Sequence, residues 1–231
     1  MTNSNTETSP MCYARIAGLL YLAIIMCGIF SEVFVRSRLI VTGDATATAS
    51  NILASTALFR AGFAADTIML LSDVAIAVMF YVLFKPVGQT LALAAAAFRL
   101  TQAAILGFNL LNYYAALLLL KDVSYVTTFE PAQLHALALL FLDIHGYGYD
   151  LGLIFFAVSS LILGYLVVRS HYFPGIFGYG LAAAGLVYLA GSFTRFLYPE
   201  YMSSIEAIYI VPLVAELSFS LWLLVKGVSV R

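Results

Sequence analysis

The sequence predicts an all-α protein: a polytopic membrane bundle of six transmembrane helices, with two interfacial helical segments on the face opposite the termini. Three observations lead there. Of 231 residues, 63% are hydrophobic and 10% are charged, against about 25% charged in soluble domains, so the chain lacks the residues for a wetted surface. Six apolar runs, 13–36, 58–84, 90–120, 147–169, 174–198 and 204–227, each reach the roughly 20 residues needed to cross about 30 Å of hydrocarbon. Turn and capping residues separate these runs. The net charge of −1 and the lack of any Lys/Arg cluster exclude nucleic acid as a partner. The lipid bilayer is the partner this composition demands.

Residues 1–12 read as a polar, disordered tail rich in Thr, Asn and Ser, and 13–231 as one membrane-embedded domain. The apolar run 16–30 is followed by Glu32 and Arg36 rather than a small-x-small cleavage site, so it reads as an uncleaved first span. Cys12 and Cys27 lie about 22 Å apart along that helix and cannot pair. Asp44 is a good N-cap for a helix over 45–58. Lys85-Pro86 closes the second span and turns it into an antiparallel hairpin with the third, which Lys121-Asp122 closes.

Pro131, after Glu130, suits the first turn of a helix running to about 142. Continued to 169, that helix would measure about 58 Å, too long for one crossing. A break is therefore expected at Gly146-Tyr147-Gly148, with 131–142 lying along the interface. Phe173-Pro174-Gly175 opens the fifth span, Pro199 closes it, and Pro212 is expected to kink the sixth.

Near the span ends, the side holding both termini carries Arg15, Lys85, Arg169, Lys226 and Arg231. The other carries Arg36, Arg38 and Lys121, with Arg60 and Arg195. The positive-inside rule then places the termini in the cytoplasm and the protein in the cell membrane. Ala17-Gly18-Leu19-Leu20-Tyr21-Leu22-Ala23 recurs as Ala184-Gly185-Leu186-Val187-Tyr188-Leu189-Ala190, each copy preceding a span with one mid-membrane acid, Asp73 or Glu216. This pattern suggests two helical hairpins related about the membrane normal.

Charge inside these runs is the functional signal, because each ionisable group there costs roughly 2.5 to 3.5 kcal/mol on insertion scales. Counting 1.5 Å per residue, Asp73 lies about 18 Å, Arg99 about 14 Å and Glu216 about 15 Å from the terminal face. The three share one central layer, where Arg99 cannot satisfy two carboxylates, so Asp73 or Glu216 is the candidate proton-binding group. A second layer near the opposite face holds Glu32, Arg36, Arg60, Asp66, Asp143, His145, Asp150 and Arg195. Asp66 and Asp73 share one stripe, and Arg99, Gln102, Asn109 and Asn112 another. A hairpin turning near Pro86 sets Asp73 by Arg99 and Asp66 by Asn109.

Four strings occur together: Phe59-Arg60-Ala61-Gly62-Phe63-Ala64-Ala65-Asp66, Phe98-Arg99-Leu100-Thr101-Gln102-Ala103-Ala104, His145-Gly146-Tyr147-Gly148-Tyr149-Asp150-Leu151-Gly152 and Arg195-Phe196-Leu197-Tyr198-Pro199. With the Gly43-Asp44 segment, they make the chain resemble, from about Ala14 to Gly227, the bacterial integral-membrane family called domain of unknown function 4386. The resemblance implies a bacterial multi-pass membrane protein and carries no activity with it.

Three functional readings follow. The first is a binding or transport protein for a small molecule or lipid. Arg60, Asp66, Asp150, Arg195, Asn109 and Asn112 line its cavity mouth and Asp73, Arg99 and Glu216 its floor. The second is an intramembrane enzyme using His145 beside Asp150 as acid and base. The third is an accessory protein whose charges only assemble the bundle. Asp143, His145 and Asp150 are possible zinc or iron ligands, but no HExxH, paired-Cys or multi-His spacing supports a metal. With no Walker loop, dinucleotide fingerprint or paired-histidine haem pattern, no cofactor is expected either.

Overall fold

The protein was described from a computed structural model covering residues 9–121 and 128–228. Residues 1–8 of the expected tail, together with Asp122 and Arg231, lie outside the described residues. Every regular element among the described residues is helical. Five helices are long and apolar enough to cross a membrane: α1 Pro10–Leu39, α3 Thr56–Leu120, α4 Pro131–Ser170, α5 Gly175–Leu197 and α6 Pro199–Val225. A shorter helix, α2 Ala45–Ala54, precedes α3.

The 65-residue α3 is a hairpin. Pro86 cannot donate a helical hydrogen bond, and Gly88 leaves helical angles (φ −173°, ψ 94°), so the chain reverses there. Phe59 and Tyr113 consequently stack with ring centroids 4.0 Å apart, and the Tyr113 hydroxyl donates to the Phe59 carbonyl at 2.9 Å. The hairpin thus divides this helix into two arms.

Local chemistry explains most ends. Ser9 caps α1 by accepting from the Cys12 amide, and Pro10 fills the first turn, so the helix starts ahead of the expected residue 13. Asp44 caps α2 through the Ala47 amide at 2.9 Å. The helix stops at Ala54, short of the expected 58, because Ser55 (φ −128°, ψ 41°) is not helical. Pro212 sits in the first regular turn of α6 instead of kinking its middle. The preceding turns, Pro199–Tyr201 and Glu206–Tyr209, are 3₁₀, so the missing amide falls where a helix start tolerates it.

The expected break at Gly146-Tyr147-Gly148 does not occur: α4 runs unbroken from Pro131 to Ser170. Both glycines are needed for contact. A Cβ on Gly146 would lie 2.5 Å from Arg195 Nη2, and one on Gly148 would overlap the Asn109 side chain. The first turns of α4 are instead packed into the bundle, where Ala138 and Leu142 share a buried cluster with Ile52 of α2 and Phe59 and Tyr113 of α3.

The outside of the bundle is apolar all round, with Leu71, Phe108, Ile176 and Val225 more than half exposed. Hydrocarbon covers such a surface where water would not. Inside, Phe219 gathers Tyr21, Phe80, Phe173 and Phe177 into an apolar cluster near the terminal face. Val35, Leu39, Phe59, Tyr113 and Leu117 form a second cluster toward the opposite face.

Candidate functional site

The hairpin register places the central layer. Arg99 Nη2 and Nε lie 2.7 and 2.9 Å from Asp73 Oδ1, and Gln102 Nε2 donates to Asp73 Oδ2 at 3.3 Å. Both charged side chains are almost fully buried. The guanidinium also lies 4.8 Å from the Phe156 ring centroid and 5.3 Å from that of Tyr21, though its Nη2, close to Asp73, makes no well-directed hydrogen bond. Asp73 and Arg99 are the neighbours their stripes predict.

Glu216 stands apart. It is 6% exposed, and its Oε1 has no hydrogen-bond partner. Among the described residues, no Lys, Arg or His nitrogen lies within 4.0 Å of its carboxylate. The Tyr188 hydroxyl lies beside it.

At the opposite face the pairing differs from the expected one. A stretch of π-helix, Phe30–Arg36, places Arg36 inward. Arg36 Nε donates to Glu32 Oε2 and Nη1 to Asp66 Oδ2, each at 2.7 Å. Asp66 is thus held by α1 rather than by Asn109. Arg60 points outward and is exposed, so Arg36 occupies the place assigned to it. Asn109 instead joins His145, donating to its carbonyl at 2.8 Å, and Asn112 supports Asn109 at 3.1 Å. His145 Nδ1 is 3.2 Å from both the Asn109 carbonyl and its amide nitrogen, leaving Nε2 buried without a partner. Asp150 bonds Arg195 Nε at 3.1 Å and Ser192 Oγ at 3.5 Å. His145 and Asp150 therefore line one space while bonding different partners.

That space is the outer of two chambers. It measures about 520 Å³, is lined by Arg36, Asp143, His145, Asp150 and Arg195, and reaches the surface beside Thr42. The inner chamber, about 190 Å³, is lined by Asp73, Gln102, Glu216 and the rings of Tyr149, Tyr188 and Tyr209. Gly28, Tyr149, Leu153 and Tyr209 belong to both walls, so the two chambers adjoin. Asn109 and Asn112 open instead onto an apolar groove beside Phe108 and Phe196.

Three roles escaped sequence reasoning. Depth puts Arg36 in the layer near the opposite face, but nothing local announces the π-turns that aim it at Asp66. Tyr209 follows a loop-like stretch with no periodicity. Tyr188 had a signal: it matches Tyr21 in the repeated heptad, and both rings meet the central layer. The two heptad glycines also act alike. Gly18 packs on the α6 backbone at Ser220, and Gly185 on the α4 backbone at Ala157.

Fold and cavity together define a helical membrane protein with a polar, two-chambered interior. The chain matches the family described as Domain of unknown function (DUF4386) over residues 16–227 and belongs to it. It is also 28% identical over 160 residues to an uncharacterized protein of Archaeoglobus fulgidus, a match spanning 69% of this chain and 80% of the relative. No solved structure matches.

Proposed function

We propose that this is a multi-pass protein of the cell membrane, with cytoplasmic termini, that binds and transports a small molecule or lipid through the two-chambered cavity. Glu216 is its coupling proton site. The supporting observation is Glu216 itself: a buried carboxylate with no Lys, Arg or His nitrogen within 4.0 Å among the described residues, lining a chamber that adjoins the outer one. Such a group costs too much to be kept for assembly alone. Asp73 is neutralised by Arg99, so proton exchange falls to Glu216, faced by Asp73, Arg99, Tyr149, Tyr188 and Tyr209. The orientation is supported by the engagement of Arg36 and Arg195 with acids, which weakens the positive charge of the face opposite the termini.

The test is proton flux in proteoliposomes across a pH gradient, with Glu216→Gln as the comparison. Coupling predicts flux in the wild type that this variant loses while remaining folded. Equal flux in both ends the coupling reading. A fluorescent protein fused to the C-terminus checks orientation, since it matures only in the cytoplasm.

A second reading, an intramembrane enzyme, draws on the free Nε2 of His145 at the outer chamber. It requires His145→Ala to abolish turnover of a membrane substrate without lowering the yield of folded protein.

A further inference from the structure

The outer chamber mixes both signs of charge, with Glu32, Asp143 and Asp150 facing Arg36 and Arg195. The inner one does not. Its ionisable lining is two carboxylates and three tyrosines, and no Lys, Arg or His side chain reaches its wall. Arg99 neutralises Asp73 from behind, with its guanidinium turned to the Phe156 and Tyr21 rings. Glu216 is therefore the carboxylate of this layer with no Lys, Arg or His nitrogen within 4.0 Å among the described residues, and it faces a space lined otherwise by Asp73, Gln102 and mostly apolar and aromatic side chains.

The walls around that charge are aromatic. Tyr188 meets Phe156 edge-on at 5.4 Å and Tyr209 at 6.2 Å between ring centroids, and Tyr149 lines the same chamber. Aromatic rings around a carboxylate that has no Lys, Arg or His nitrogen within 4.0 Å are the parts of an ammonium-binding cage, with Tyr188 and Tyr209 its free rings, since Arg36 lies 5.8 Å from the Tyr149 ring centroid. Room exists for a compact guest: about 190 Å³ holds roughly six groups of water size at ~30 Å³ each. An anion would meet Glu216 with no counter-charge. A neutral apolar guest would leave Glu216 buried and unpaired, whereas an ammonium removes that penalty.

We propose that the inner chamber binds a small organic ammonium ion, its charge against Glu216 and its methyl or methylene groups against the rings of Tyr149, Tyr188 and Tyr209. This deepens the reading of the cavity as a transport site and rests on it. Proton and ammonium then compete for one carboxylate, which couples their movements without a second site.

The experiment is calorimetric titration of the full chain in nanodiscs with choline and, separately, with its neutral carbon isostere 3,3-dimethylbutan-1-ol. Choline is expected to bind at least tenfold more tightly than the isostere. Glu216→Gln is expected to erase that difference, Tyr188→Phe to keep it, and Tyr188→Ala to reduce it several-fold. Equal binding of both probes to the wild type overturns the ammonium assignment while leaving the cavity a binding site. Binding of neither probe overturns the ammonium assignment too, and proton flux lost in Glu216→Gln then tells whether the coupling reading survives it. Because the comparison of probes uses the unmodified protein, it stands even if a variant fails to fold.

Discussion

Substitutions in the central layer separate charge kept for assembly from charge kept for function. Asp73 and Arg99 are 2% exposed and joined at 2.7 Å. Removing one partner of such a pair costs about 3–5 kcal/mol, because the other is left buried and charged. Arg99→Met strands two carboxylates and should sit at the top of that range. Asp73→Asn should cost less, since Glu216 lies within electrostatic reach of Arg99 and can take its charge. Glu216→Gln should be neutral or stabilising: it deletes a buried charge that has no cation within 4.0 Å and keeps an acceptor for Tyr188. At about 2–4 °C per kcal/mol for a chain of this size, Arg99→Met should lower the melting temperature by about 10–20 °C. Thermal unfolding of purified protein in one detergent reads all three. A double-mutant cycle adds the sharper test. In the Asp73→Asn background Glu216 becomes the only acid serving Arg99, so Glu216→Gln should turn destabilising, with a coupling of about 0.5–3 kcal/mol. The reasoning is refuted if Glu216→Gln alone destabilises as much as Asp73→Asn, or if the cycle is additive.

Other outcomes follow from the same geometry. Arg36→Ala leaves Asp66, 3% exposed, without its cation and should cost about 3–5 kcal/mol in denaturant unfolding. Arg60→Ala, at an exposed position, should stay within about 0.5 kcal/mol. Gly164→Ala puts a Cβ 2.5 Å from the Gly178 carbonyl and 3.0 Å from the Ala182 amide, backbone that cannot swing aside. It should cost about 1–3 kcal/mol, while Gly175→Ala, meeting only Tyr179 at 3.8 Å, should be close to neutral. Gly148→Ala should displace Asn109, lose its bonds to His145 and shift the His145 ring resonances in NMR spectra. Unchanged resonances would show that Asn109 does not hold the ring.

The amino-acid sequence alone determined the class, the arms and the central pair. Apolar runs of membrane length admit helices and little else, because every backbone amide in hydrocarbon must bond within its own segment. The hairpin at Pro86 and the meeting of Asp73 with Arg99 were equally legible, since a fixed rise per residue sets the register of two antiparallel helices once the turn is known. Tertiary structure decided the rest. Gly146 and Gly148 read as a helix break and serve as contact points, because a missing Cβ signals either role until the neighbouring side chain is known. Asp66 was free to choose among several cations, and only the π-turns of α1 brought Arg36 to it. The isolation of Glu216 was the least legible of all. Depth along a helix fixes how far a charge lies from the surface, but the rotation of α6 against its neighbours decides how closely an arginine approaches it, and that rotation is set by packing.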